Sequence, residues 1–173
     1  IAHAVTAVSA AAQGDGLLQI DAAQSADEVA RLWAARKALS PALKHVAPKK
    51  INEDVVVPVS KLPALVAKTR ELAAESGIAI VCFGHAGNGN LHVNLMFDPA
   101  DAAQSAQAPR VLSELFATTL ALGGTLSGEH GIGLDKRDFM PQAIAAPTLD
   151  LMRAVKAQFD PTGILNPGKL LPP

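Results

Sequence analysis

Tyrosine is absent from the 173 residues, and tryptophan and cysteine occur once each. Without aromatics interleaved among basic residues there is no base-stacking platform, which argues against single-stranded nucleic acid as a partner. Fifteen Lys and Arg against 16 Asp and Glu leave a formal net charge of −1, so no electrostatic footprint marks nucleic acid or an anionic membrane. No apolar run approaches the ~20 residues a spanning helix needs. A lone Cys82 cannot form an internal disulfide, which fits a reducing cytoplasm. Residue 1 is Ile rather than Met and no leader-like segment precedes it, so a processed chain or a piece of a longer one is expected. The length suits one domain, with an appended arm, that can bury a real core.

What the chain does have is glycine in two concentrated stretches. The first is Gly84-His85-Ala86-Gly87-Asn88-Gly89-Asn90-Leu91-His92, with apolar runs leading in from Gly77 and out to Phe97. Two β-rich runs joined by Gly, Asn and Gly signal a hairpin. A four-residue loop, Ala86 to Gly89, sets His85 across from Asn90 and Phe83 across from His92. Alternation then puts Val81, Phe83, His85, Asn90, His92, Asn94 and Met96 on one face. Ile80, Cys82, Leu91, Val93, Leu95 and Phe97 form the opposite, core-facing side. The two histidines become diagonal neighbours, roughly 7–8 Å apart at their backbones. By themselves they read first as surface residues beside a turn. The second stretch, Gly123-Gly124-Thr125-Leu126-Ser127-Gly128-Glu129-His130-Gly131-Ile132-Gly133, sets a Glu-His pair among five glycines, where the backbone is expected to approach something closely. Adjacent residues of an extended segment point apart, which would give Glu129 and His130 separate tasks.

Along the chain, residues 1–13 suit a helix and 17–20 a short strand. Ser25 and Glu28 form a capping-box pattern for a helix to about Leu39, with Val29, Leu32, Trp33 and Arg36 on one side. By itself, Arg36 reads as a solvated helix charge. Residues 55–58 read as a strand, and Leu62, Leu65, Val66, Thr69 and Leu72 have helical spacing up to Gly77. After the hairpin, 98–107 reads as a loop or loose helical entry. A helix from Pro109 carries Val111, Leu112, Leu115, Phe116 and Thr119, and a short strand follows at Thr125-Leu126. A last helix spans 148–159. The order strand, helix, strand, strand, helix, strand predicts an α+β fold, a ferredoxin-like split βαβ antiparallel sheet with helices on one face. An N-terminal strand/helix arm (1–50) precedes the core (51–127), and a C-terminal helical extension follows. The histidine face is left uncovered by the helices. Leu65, Leu72, Val93, Leu95, Leu112 and Phe116 are expected core members. Gly163 and Gly168-Lys169 have phosphate-loop spacing, but Leu170 replaces the Ser or Thr and no helix can follow. Gly84, Gly87 and Gly89 are no dinucleotide fingerprint either, since a strand follows them. Pro167 is expected to hold Asn166 extended. A frayed terminus is the alternative reading of that tail.

The two glycine stretches, with Leu32-Trp33-Ala34-Ala35-Arg36, Asn52-Glu53-Asp54-Val55-Val56-Val57-Pro58 and Asn166-Pro167-Gly168-Lys169 in this order, resemble the C-terminal domain of FAD-linked 2-hydroxy acid dehydrogenases and oxidases. The group includes D-lactate dehydrogenase, the glycolate oxidase flavin subunit and D-2-hydroxyglutarate dehydrogenase, of the vanillyl-alcohol oxidase type. The resemblance implies a cap domain on the substrate side of the flavin, with most of the FAD held by a domain outside these residues. It implies a divalent metal (Zn, Mn or Fe) on His85, His92 and Glu129, His130 as base on the substrate hydroxyl, and Arg36 and Lys50 clamping the carboxylate. Asn90 and Asn166 are implied as cofactor contacts, the terminal segment lying near the flavin. Asn88 departs from the pattern, since many relatives carry Asp there. The expected function is oxidation of a small D-2-hydroxy acid to a 2-oxo acid by an enzyme that is cytoplasmic or membrane-peripheral. The chain alone is expected to be inactive and prone to self-association through its flavin-facing surface. A different class of reading is a non-catalytic ferredoxin-like module whose histidine face binds a partner or small effector.

Overall fold

The computed structural model describes residues 2–173 and divides the chain into two compact units, the first ending at Leu43 and the second spanning Lys44–Pro173. The first unit contains helices α1 (Ala2–Ala11) and α2 (Ala26–Ala42), neither of which buries a residue. Of the helix expected over 1–13, Ile1 lies outside the described residues. The capping box forms as its spacing predicts: Glu28 N–H donates to Ser25 Oγ at 3.3 Å, and Ser25 N–H to the Glu28 carboxylate at 3.1 Å. α2 runs past the expected stop at Leu39 and carries Pro41 in its last turn. The strand expected at 17–20 does not form, and Leu18 is 99% exposed. Four residues without a partner strand have no ladder to join.

The second unit is built on a three-stranded antiparallel sheet in the order β1-β3-β2, from β1 (Lys49–Val56), β2 (Ala79–His85) and β3 (Asn90–Phe97). Helices α3 (Leu62–Ser76) and α4 (Ala102–Ala121) pack on one face, giving the expected α+β, split βαβ arrangement. Leu65 and Leu72 from α3, Val111, Leu115 and Phe116 from α4, and Val55, Val93 and Leu95 from the sheet are essentially inaccessible. Leu112, expected in the core, packs against its margin. α4 starts earlier than Pro109, because the Asp101 carboxylate caps it by accepting from Ala103 and Gln104 N–H. The fourth strand shrinks to one bridge, in which Thr125 and Val56 exchange backbone bonds of 2.8 and 3.1 Å. Beyond Leu126 the chain is drawn away from the sheet edge by side-chain interactions described below. A short helix α5 (Met140–Ala143) and helix α6 (Ala146–Phe159) complete the unit.

The hairpin has the expected register, with Phe83 opposite His92 and His85 opposite Asn90. Its turn is a tight Ala86–Asn88 helical turn closed by Gly89 at φ +74°. A Cβ on Gly89 would lie 1.9 Å from the Val57 carbonyl oxygen. Gly89→Ala should therefore cost about 2–4 kcal/mol, from left-handed strain and forced backbone movement. Denaturant titration of the two proteins measures this. The helices leave the histidine face uncovered as expected, but other residues cover part of it, and Asn90, Asn94 and Met96 are buried. Part of the cover is Gly128, where a Cβ would meet Asn90 Nδ2 at 2.7 Å and Asp54 Oδ1 at 2.9 Å. Between strands, Asn52 donates to Asn94 Oδ1 and Asn94 donates to the Val81 carbonyl, satisfying buried amides across all three strands.

Candidate functional site

His92 lies near the start of β3, and the register places His85 diagonally from it on β2. Their rings meet edge to face with centroids 5.5 Å apart, and Phe83 flanks His92 at 5.8 Å. Residues 127–131 bring Glu129 and His130 onto the same spot. The Glu129 carboxylate oxygen Oε1 is 3.3 Å from His92 Nε2 and 3.8 Å from His85 Nε2. One ligand atom from each of His85, His92 and Glu129 falls within a group whose members all lie within 4.8 Å of one another. Two imidazoles and a carboxylate at that spacing are a donor set suited to a borderline divalent cation, with coordination positions to spare. His130 stacks on His92 with centroids 5.3 Å apart and planes 15° from parallel, its Nε2 4.0 Å from Glu129 Oε1.

Glu129 and His130 therefore do not point apart. The segment is wound around a single side chain on β1, Asp54, instead of being extended. Asp54 Oδ2 accepts the backbone N–H groups of Gly128, Glu129 and His130 at 2.8, 2.7 and 2.8 Å, and the Ser127 hydroxyl at 3.2 Å. Ser127 Oγ in turn accepts Gly131 N–H at 2.7 Å. The far end of the loop is tied to the same strand. Lys136, 4% exposed, donates through Nζ to the Asp54 and Leu126 carbonyls and pairs with Glu53 at 3.4 Å.

Burial pulls on the charged groups here in different directions. It lowers the His92 pKa despite the opposing charges of Asp54 and Glu129, which favours a neutral ring with a lone pair to offer. It would raise that of Asp54, but the three backbone N–H donors outweigh it and hold the carboxyl well below its usual range. For Glu53 burial prevails over the attraction of Lys136, and the pKa is raised.

Of the remaining expected residues, Lys50 shares a sheet face with His92 but pairs with Met96, while Asp54 is the residue opposite His92. Four residues of strand, roughly 13 Å, separate Lys50 from Asp54, so the register gives it no place in the cluster. Arg36 belongs to α2 in the first unit, where its guanidinium lies over the Trp33 ring at 5.4 Å. Asn90 is buried beneath Gly128, its Oδ1 without a hydrogen-bond partner among the described residues. Asn166 is left-handed at φ +45° instead of extended, a conformation that Asn tolerates better than most residues. The tail around it is tied down rather than frayed: Arg137 donates to the Gly168 carbonyl, Lys156 to that of Leu165 and Arg153 to that of Pro172. Asp54 and Lys136 are the residues that sequence reasoning missed. The Asn52-Glu53-Asp54 run was visible, but its acidic pair gains meaning only beside the loop.

The family described as FAD linked oxidases, C-terminal domain, matches residues 1–170. Among curated proteins, the chain is 37% identical over 158 residues to glycolate oxidase subunit GlcD of Bacillus subtilis, covering 91% of this chain and 33% of that protein. It is 36% identical over 151 residues to a D-2-hydroxyglutarate dehydrogenase of Stutzerimonas stutzeri, covering 85% and 32%. A mitochondrial D-lactate dehydrogenase (cytochrome) of Arabidopsis thaliana shares 35% over 144 residues, covering 82% and 25%. The chain thus spans about a third or less of the length of these relatives. No helix among the described residues is long and apolar enough to cross a membrane.

Proposed function

The chain belongs to the family of FAD-linked oxidase C-terminal domains, and from this premise we propose that it is the substrate- and metal-binding cap of a flavin-dependent enzyme that oxidises a D-2-hydroxy acid to the 2-oxo acid. The observation that carries the proposal is the convergence of His85, His92 and Glu129, with His130 stacked against them. The oxidation removes a hydride from C2 and a proton from the hydroxyl, so it needs an acceptor for each. When bound, FAD supplies the hydride acceptor, and a divalent ion supplies Lewis acidity toward the substrate's oxygens. Gly84, Gly87 and Gly89 lead into β3 rather than a helix, so they form no diphosphate cradle. On the family resemblance, and because the chain spans only about a third of its relatives, the flavin is assigned mainly to residues outside these 173, with Asn90 and Asn166 as contacts on the resemblance alone.

In this reading His85, His92 and Glu129 would hold the ion, and burial, by lowering the His92 pKa, favours the neutral ring that a ligand must be. His130 takes the hydroxyl proton onto its ring. Arg36 and Lys50 are proposed as carboxylate-binding cations on the resemblance alone.

Titrating the purified chain with Zn²⁺, Mn²⁺ or Fe²⁺ should reveal one bound ion per chain. Removing an inner ligand should exceed the ~10–100-fold loss typical of an outer partner, so affinity in His92→Ala should fall by at least about 100-fold. No binding, or equal binding in the variant, would overturn the metal assignment. The activity is checked in the FAD-loaded enzyme with glycolate, D-lactate and D-2-hydroxyglutarate and a dye acceptor. Failure of all three to reduce the dye would remove the proposed substrate class.

A further inference from the structure

We infer that Asp54 is the positioning residue of this site, one oxygen shaping the loop that carries Glu129 and His130 and the other selecting the ligating form of His92. The inference rests on the proposed metal site, though half of it can be read without any ion. Oδ2 gathers three consecutive backbone N–H groups and one hydroxyl from residues 127–130. That concentration of donors explains why a glycine-rich segment, otherwise free to move, holds two functional side chains over His92. Oδ1 faces the other way. It lies 4.0 Å from His92 Nδ1, and both atoms are buried without a hydrogen-bond partner among the described residues.

The His92 ring is thus bracketed, with Nε2 toward Glu129 at 3.3 Å and Nδ1 toward Asp54. A neutral imidazole carries one N–H, and the carboxylate can only accept. Facing Asp54, the proton belongs on Nδ1, and the Nε2 lone pair is left for a cation. A contraction of about 1 Å would make this an ordinary hydrogen bond and satisfy both orphaned atoms. The sheet register makes the pairing inescapable, because Asp54 and His92 are directly opposite on β1 and β3.

Asp54→Asn tests both halves with little change of shape. The three N–H donors require an oxygen at the Oδ2 position, so the amide nitrogen must face His92. Donor would then meet donor unless the imidazole proton moves to Nε2, which blocks the ligand nitrogen. The expected result is a Zn²⁺ dissociation constant raised about 10–100-fold. In metal-free protein, ¹⁵N-histidine NMR should show His92 as the Nδ1–H form in the wild type and shifted toward Nε2–H in the variant. Amide exchange at Gly128, Glu129 and His130 should quicken while that of β3 stays slow. An Nε2–H tautomer in the wild type, or unchanged Zn²⁺ affinity in Asp54→Asn, would overturn the inference. Should the wild type bind no Zn²⁺ at all, the metal reading fails instead. The tautomer and the three amides then still decide whether Asp54 organises the site, without needing the variant to bind anything.

Discussion

Replacing His130 by alanine should lower kcat by about 10²–10⁴-fold in the FAD-loaded enzyme while leaving metal affinity nearly unchanged, the size expected when a general base is removed. The separation between the two effects follows from geometry. His130 stacks face to face on His92 and keeps 4.0 Å from Glu129, whereas His85 and Glu129 direct their polar atoms at the cluster's centre. Its backbone N–H, rather than its ring, is what Asp54 holds, so the alanine variant retains the loop's hydrogen bonds. Glu129→Ala supplies the contrast, since it should lose ion affinity and turnover together. Ion titration beside steady-state kinetics reads both quantities. A His130→Ala enzyme with normal kcat would remove the base assignment, and one that no longer binds the ion would make His130 a ligand.

Lys136→Met should destabilise the second unit by about 3–5 kcal/mol, the range for removing one partner of a buried ion pair. Lys136 and Glu53 are 4% and 2% exposed, and the ammonium also satisfies the carbonyls of Asp54 and Leu126. Without it the Glu53 carboxylate is left buried and unpaired, and the loop behind Glu129 loses its far anchor. A pH signature accompanies the loss. Burial raises the Glu53 pKa above its ordinary 4.5 in the folded protein, so its contribution is fully present below that value and declines as pH rises through the folded pKa. Removing Lys136 raises the folded pKa further, so the substitution should cost less near pH 5 than at pH 7. Asp54 has the opposite sign: its lowered pKa gives stability that is present above 3.8 and declines as pH falls through the folded value. His92, whose pKa burial lowers from 6.5, also changes stability as pH falls, so Glu53 is read from the difference between wild type and Lys136→Met at pH 5 and at pH 7. Equal costs at the two pH values would show that its charge is not what Lys136 compensates.

The hairpin and the split βαβ order were legible because their signals are local. Gly-Asn-Gly between apolar runs defines a turn, and strict alternation then decides which side chains share a face. His85 and His92 came together from that arithmetic alone, and the Ser25 cap and the α3 and α4 core positions followed from helical spacing. Where local signals were weak the reading slipped. Residues 17–20 had strand-like composition without a partner, and Pro109 masked a helix that Asp101 had already started.

By itself the sequence set His85 and His92 side by side on the hairpin and assigned the faces of the sheet, consequences of a two-residue period and a turn. Only the tertiary structure decided how Glu129 and His130 reach those histidines. That depends on Asp54 and Lys136, which lie 82 residues apart in numbering yet hold opposite ends of one loop. A glycine-rich segment encodes almost no conformation of its own, because its backbone has many states of similar energy. Its shape is imposed by the donors and acceptors of a neighbouring strand, and which strand is the neighbour is settled by packing the whole core.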